Sequence, residues 1–68
     1  MTFDELWKQV KGLPDTAMIQ VPAVLSSTTK KRLTMKSPEE VGRIIFAAIE
    51  EINRGSVETV DALVRKRL

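Results

Sequence analysis

The sequence predicts an all-α fold, a compact bundle of four to five short helices around a central helix at about 38–54. One observation is Ser37-Pro38-Glu39-Glu40, where serine can cap the free amides, proline suits the first turn and Glu40 completes a capping box. Another is Gly55, which can adopt the left-handed conformation that ends a helix. The apolar residues between these marks recur at helical spacing and are Val41, Ile44, Ile45, Ala48, Ile49 and Ile52. With 68 residues, the chain is expected to form a single helical domain over 1–68.

The first helix is predicted over about 3–11. Thr2 followed by Glu5 is a second capping-box pattern. The apolar face of this helix consists of Phe3, Leu6, Trp7 and Val10. Gly12 and Pro14 mark its end. Trp7 is the only tryptophan, and the large area that its side chain can bury predicts a core anchor.

Residues 13–27 allow two interpretations. The alternating residues Ala17, Ile19, Val21 and Ala23 fit a strand, although a lone strand would have no partner within this chain. We therefore expect a short helix at about 15–20. A turn through Val21-Pro22-Ala23 is expected to follow it and to bury Val24 and Leu25, because proline interrupts a helix.

Two further helices are expected. One at about 28–35 follows the polar segment Ser26-Ser27-Thr28-Thr29, with Leu33 and Met35 as its inward-facing candidates. Ser56 is expected to cap the last helix, so that Gly55-Ser56 alone joins it to the central helix. The apolar positions of this last helix are Val57, Val60, Val64 and Leu68.

The chain contains neither histidine nor cysteine, and this bounds its chemistry. Histidine is the commonest general base and transition-metal ligand, while cysteine is needed for disulfides and thiolate sites. We therefore expect no catalytic residue, no cofactor and no metal, and so no enzyme. No apolar run reaches membrane-spanning length. The acidic segment 1–5 is unlike a secretory signal, which predicts a cytoplasmic protein.

Gly42 and Phe46 lie beside the main stripe of the central helix. With about 100° between successive residues and Val41 at the origin, they fall at about 100° and about 140°, whereas the stripe covers about 300° through 80°. The apolar arc is therefore wider than one helix contact requires. One interpretation is an exposed patch that binds a protein or a second copy. The other is a helix with neighbours on two sides, where Gly42 permits a close approach.

Cationic residues form two clusters on a chain of net charge +2. The first cluster consists of Lys30, Lys31, Arg32 and Lys36, and the second consists of Arg65, Lys66 and Arg67. Together they could contact nucleic-acid phosphates if the last helix folds back beside the first cluster. The alternative is ordinary solvated surface, since cations at a helix C-terminus also complement the helix dipole.

Acidic residues occur as the adjacent pairs Asp4-Glu5, Glu39-Glu40 and Glu50-Glu51. Neighbours on a helix point about 100° apart, so these pairs do not converge as a catalytic or metal-binding pair must. The predicted function is a small non-catalytic interaction module or regulatory subunit that binds another protein or itself. The alternative is an auxiliary nucleic-acid-binding protein with a backbone-contacting basic patch. Neither a membrane nor a small-molecule substrate is expected as a partner.

Overall fold

Five helices make up the computed structural model, which describes residues 2–68. They are α1 (Phe3–Gln9), α2 (Asp15–Val24), α3 (Ser27–Leu33), α4 (Pro38–Asn53) and α5 (Val60–Arg65). The predicted all-α fold class is confirmed. None of these helices combines the length and the apolar character that a membrane crossing requires.

Side-chain caps begin the helices where hydroxyl residues precede them. The Ser37 hydroxyl accepts a hydrogen bond from the Glu40 backbone N–H at 3.3 Å, and Thr2 does the same for Glu5. Ser26 caps α3 in this way. Each bond satisfies one of the free N–H groups in a first helical turn, so these starting points follow directly from the sequence.

The core is built on the apolar stripe of α4. Val41, Ile45 and Ala48 are fully buried, whereas Ile52 at the end of the stripe is partly exposed. The residues that cover the stripe come from the four other helices or their ends, and the fully buried ones are Leu6, Leu33, Leu63 and Val64. Trp7 is buried as predicted, with its ring stacked on Phe3.

The last helix begins later than predicted. Thr59, not Ser56, caps it by accepting from the Ala62 N–H at 3.1 Å. Gly55 has a φ of 100° and ends α4 as expected, while the Ser56 hydroxyl accepts from Glu58 in a turn. Val57 is consequently 99% exposed rather than part of an apolar face. The connection thus covers residues 54–59, and α5 buries Leu63 beside Val64.

Helix α2 is longer than predicted because it continues through Pro22. Proline has no N–H, so the Met18 carbonyl four residues earlier loses its helical partner. The indole N–H of Trp7 donates to this carbonyl at 2.9 Å and takes the place of the missing bond. Residues 17–24 are therefore helical rather than a turn or a strand. Leu25 is buried as expected, but Val24 remains 53% exposed.

Two smaller differences concern α1 and α3. Helix α1 ends at Gln9 and α3 at Leu33, each two residues before the predicted end. Leu33 is fully buried, whereas Met35 lies in the turn after α3 and is 88% exposed. Helix ends commonly deviate from pattern-based limits by one or two residues. The exposure of Met35 matters more, because it removes one expected core residue.

The bond between Trp7 and Met18 leads to a testable coupling with Pro22. We expect Trp7→Phe to lower the free energy of unfolding by about 1 to 3 kcal/mol, since it leaves a half-buried carbonyl without a partner. In a Pro22→Ala background the new N–H can bond Met18, so the same change should cost about 1 kcal/mol less. Urea unfolding followed by far-ultraviolet circular dichroism measures both. An equal cost in both backgrounds would show that Trp7 acts through packing alone.

Candidate functional site

Gly42 lies under the end of α1. A Cβ added at this position would stand 3.3 Å from the Lys11 carbonyl oxygen and 3.6 Å from Cγ1 of Val10. The first distance is tighter than ordinary van der Waals contact, so the absence of a side chain lets the two segments approach. Gly42 is therefore part of a contact within the chain. Of the two residues predicted as an interface, Phe46 is the one whose side chain remains accessible to a partner.

Phe46 lies at the edge of a shallow depression and is 47% exposed. The other residues that line this depression are Lys11, Gly12, Glu39, Gly42 and Arg43. The ring therefore stands among charged side chains on this side of α4. An exposed ring with a charged surround can add contact area at the rim of an interface, but it does not form an apolar pocket by itself.

An apolar groove that the sequence did not predict runs between α2 and α4. Its volume is about 360 Å³, and it is lined by Pro14, Thr16, Ala17, Gln20, Val21, Val24, Ile49, Ile52, Asn53 and Val60. No lining residue carries a charge. The groove was missed because α2 was expected to stop before Val21. One sequence feature could have indicated it, the absence of any charged residue from Thr16 to Thr29.

The two basic clusters border each other, because α3 packs against α5. Arg32, Met35 and Lys36 line one depression together with Leu68, the residue that follows the second cluster. A joint basic surface requires the last helix to fold back beside the first cluster, and α5 does so. Whether this surface attracts an anion depends on how much of its charge is already neutralised.

Ion pairs occupy four of the seven cations. The pairs are Lys36–Glu40, Arg65–Asp61, Lys66–Glu58 and Arg67–Glu51. Lys30 lies 5.5 Å from the centre of the Phe3 ring, where the ring face attracts a cation. Within residues 2–68, the members with neither kind of partner are Lys31 and Arg32. The fold brings the clusters together and compensates most of their charge.

The ion pair between Asp61 and Arg65 is part of a contact that holds α5 against the start of α3. Its carboxylate accepts a hydrogen bond from the Ser26 backbone N–H at 2.9 Å and lies 3.1 Å from Nε of Arg65. The bond from Ser26 lowers the pKa of Asp61, and the Thr29 hydroxyl and the Arg65 charge act in the same direction, against partial burial. Asp61 therefore fastens the start of α3 to α5, and Arg65 belongs to this contact.

The carboxylates do not assemble into a metal site in the part of the chain that the structure describes. No group of three or more potential ligands among residues 2–68 is close enough to hold an ion. Each buried side-chain nitrogen or oxygen in this part also has a hydrogen-bond partner.

No family model matches this chain, and neither a curated protein nor a solved structure matches it significantly. Its function has to be inferred from the groove, the basic surface and the exposed apolar side chains.

The lowered pKa of Asp61 predicts a specific acid sensitivity. A carboxyl whose folded-state pKa lies below its ordinary value of 3.8 stabilises the fold above that value, and the contribution is lost as the pH falls through the folded-state pKa. We expect Asp61→Asn to cost about 1 to 2 kcal/mol at neutral pH and to flatten the pH dependence below about pH 4. Urea unfolding at a series of pH values measures this.

Glu50→Gln provides the matched control for Asp61→Asn. It also removes one negative charge, but Glu50 is exposed and its ion pair with Arg54 is 3.6 Å long. Its effect on the unfolding free energy should stay within about 0.5 kcal/mol at every pH. Equal effects of the two substitutions would contradict the role assigned to Asp61.

Proposed function

We propose that the protein is a small non-catalytic interaction module, an adaptor or regulatory subunit that binds a protein partner through the groove between α2 and α4. The lining of the groove is the observation that carries the proposal. None of its ten residues is charged, in a chain in which 29% of all residues are charged. Interface cores are depleted of charged residues, because removing water from a charge is costly.

Apolar side chains near the groove support the same function. Val24 on its edge is 53% exposed, and Ile19, further round α2, is 77% exposed. Phe46 lies in a separate depression among charged side chains, so it could add contact area only at the rim of such an interface. Single exposed apolar residues are common on protein surfaces, but a continuous uncharged group of them is typical of an interaction site.

The shape of the groove favours protein side chains over a small molecule. Its volume of about 360 Å³ lies near the lower end of the range for small-molecule pockets. Such pockets surround most of their ligand, whereas this groove is open along the molecular surface between two helices. An apolar ridge on a partner protein could fill it from outside. The proposal includes a cytoplasmic location, which suits a cysteine-free chain.

Site-specific photo-crosslinking in cells that express the chain tests this function. A photoreactive aliphatic amino acid at position 24 should give a defined protein adduct, because that side chain lies in the proposed contact. The same amino acid at position 35 is the control, since Met35 is exposed and apolar but lies in a separate depression. Gln20→Lys in the same chain should abolish the adduct by placing a charge in the groove.

Adducts of equal yield from positions 24 and 35 would contradict the proposal, and so would an adduct that survives Gln20→Lys. Gln20 is exposed in the isolated chain, so the substitution leaves the core intact. An unchanged circular dichroism spectrum and urea midpoint would verify this.

An auxiliary nucleic-acid-binding protein is the second candidate, favoured by the contact between the two basic clusters. Seven phosphate contacts would give a slope of about −6 in log affinity against log salt concentration, whereas two cations would give about −2. Surface ion pairs contribute little and can be exchanged for phosphates. Even so, each exchange would leave a carboxylate next to the nucleic acid, which lowers the net gain.

Binding to a generic DNA duplex at several salt concentrations distinguishes the two candidates. We expect weak binding with a slope of about −2 or less, carried by Lys31 and Arg32. An NMR titration would localise any contact. A slope near −6, with shifts at both basic clusters and none around the groove, would make nucleic acid the leading function.

A further inference from the structure

Positive charge that no other group compensates is concentrated outside the two basic clusters. Of the eleven lysine and arginine residues, five form ion pairs and Lys30 lies over the Phe3 ring, which leaves five without either kind of partner within residues 2–68. Three of these five, Lys8, Lys11 and Arg43, line two shallow depressions between the end of α1 and α4. Lys11 and Glu39 belong to both depressions, so the two form one continuous surface.

The close contact at Gly42 brings these cations together. The Lys11 carbonyl oxygen would lie 3.3 Å from a Cβ at position 42, so the chain leaves α1 directly against α4. Arg43 follows Gly42, and Phe46 lies about one turn further along the helix. The fold thus holds two lysines from the end of α1 beside an exposed arginine and a ring that is 47% exposed. A side chain at position 42 would push Lys11 away from this surface.

We infer that this surface binds an acidic segment of a protein, one that carries an apolar side chain among its carboxylates. The inference concerns a surface apart from the groove and does not rest on the proposed function. Cations without an ion pair are available to carboxylates, and arginine can donate two parallel hydrogen bonds to one of them. The exposed part of the Phe46 ring offers contact area to the apolar side chain. Charge and ring together select this partner chemistry.

Glu39 favours a protein segment over nucleic acid. This exposed carboxylate lines both depressions and forms no ion pair in the part of the chain that the structure describes. A nucleic acid carries a phosphate on every nucleotide, so a strand that crosses the surface would bring negative charge close to Glu39. A protein segment can place a neutral residue there and keep its carboxylates for Lys8, Lys11 and Arg43.

An amide-resolved NMR titration at low salt tests the inference, with the blocked synthetic peptide Glu-Glu-Leu-Gln-Glu-Glu as the probe. The largest shifts should occur at Lys11, Gly42, Arg43 and Phe46. Arg43→Gln should weaken binding about tenfold, because it removes a charge-assisted contact. Arg32→Gln is the matched control. It also removes an exposed arginine that has no ion pair, and it should change the affinity less than about twofold.

A second peptide, Glu-Glu-Gly-Gln-Glu-Glu, tests the contact with the ring without altering the protein. It should bind about fivefold more weakly, because it lacks the side chain that packs on Phe46. Equal affinities of the two peptides would overturn the inference, and so would equal losses from Arg43→Gln and Arg32→Gln. Tighter binding of a thymidine oligonucleotide with the same net charge would overturn it in favour of nucleic acid. The adduct at position 24 should persist in Arg43→Gln, so failure of this inference can be told apart from failure of the proposed function.

Discussion

The hydrogen bond from the Trp7 indole to the Met18 carbonyl is the interaction on which the candidate binding surface depends. Proline within a helix removes one backbone bond, and the cost is reduced here because a side chain of α1 replaces it. The replacement lets α2 continue to Val24, past the point where the sequence pattern favours a turn. Without the last turn of α2, the groove would lose the wall formed by Val21 and Val24. A core residue at one end of the chain thus shapes a surface formed by other segments.

The position of α5 explains why that surface stays open. A helix of six residues is too short to be stable alone, so α5 depends on the burial of Leu63 and Val64 and on the link from Asp61 to α3. In return, α5 packs against α2, α3 and α4. Because α2 rests on α5 more than on α4, its outer side and the cleft towards Ile49 and Ile52 remain accessible. The core is therefore complete on one side of α4 and leaves the other side to solvent or a partner.

Local patterns were sufficient for the fold class and for three of the five helices. Ser37 and Gly55 determine the ends of α4 through bonds between near neighbours, and so their consequences can be derived from sequence. The course of α2 depends on a bond between residues eleven positions apart, which no local pattern contains. The start of α5 was misplaced for a different reason, since Ser56 and Thr59 are both good caps and the turn after Gly55 decides between them. Phe46 and both basic clusters could be named from the sequence and stay predictions, whereas the groove could be described only with the full length of α2.

The basic surface of α3 and α5 and the surface of α2 differ in their charge. Acidic partners lie beside Lys36, Arg65, Lys66 and Arg67, so most of the charge on this side is compensated, while α2 carries one charged residue, Asp15, at its first position. A chain of 68 residues gains limited stability from its own core, because so much of its surface stays exposed. A protein that binds α2 only when the chain is folded raises the free energy of unfolding. The increase grows with the logarithm of the partner's concentration once that concentration exceeds the dissociation constant.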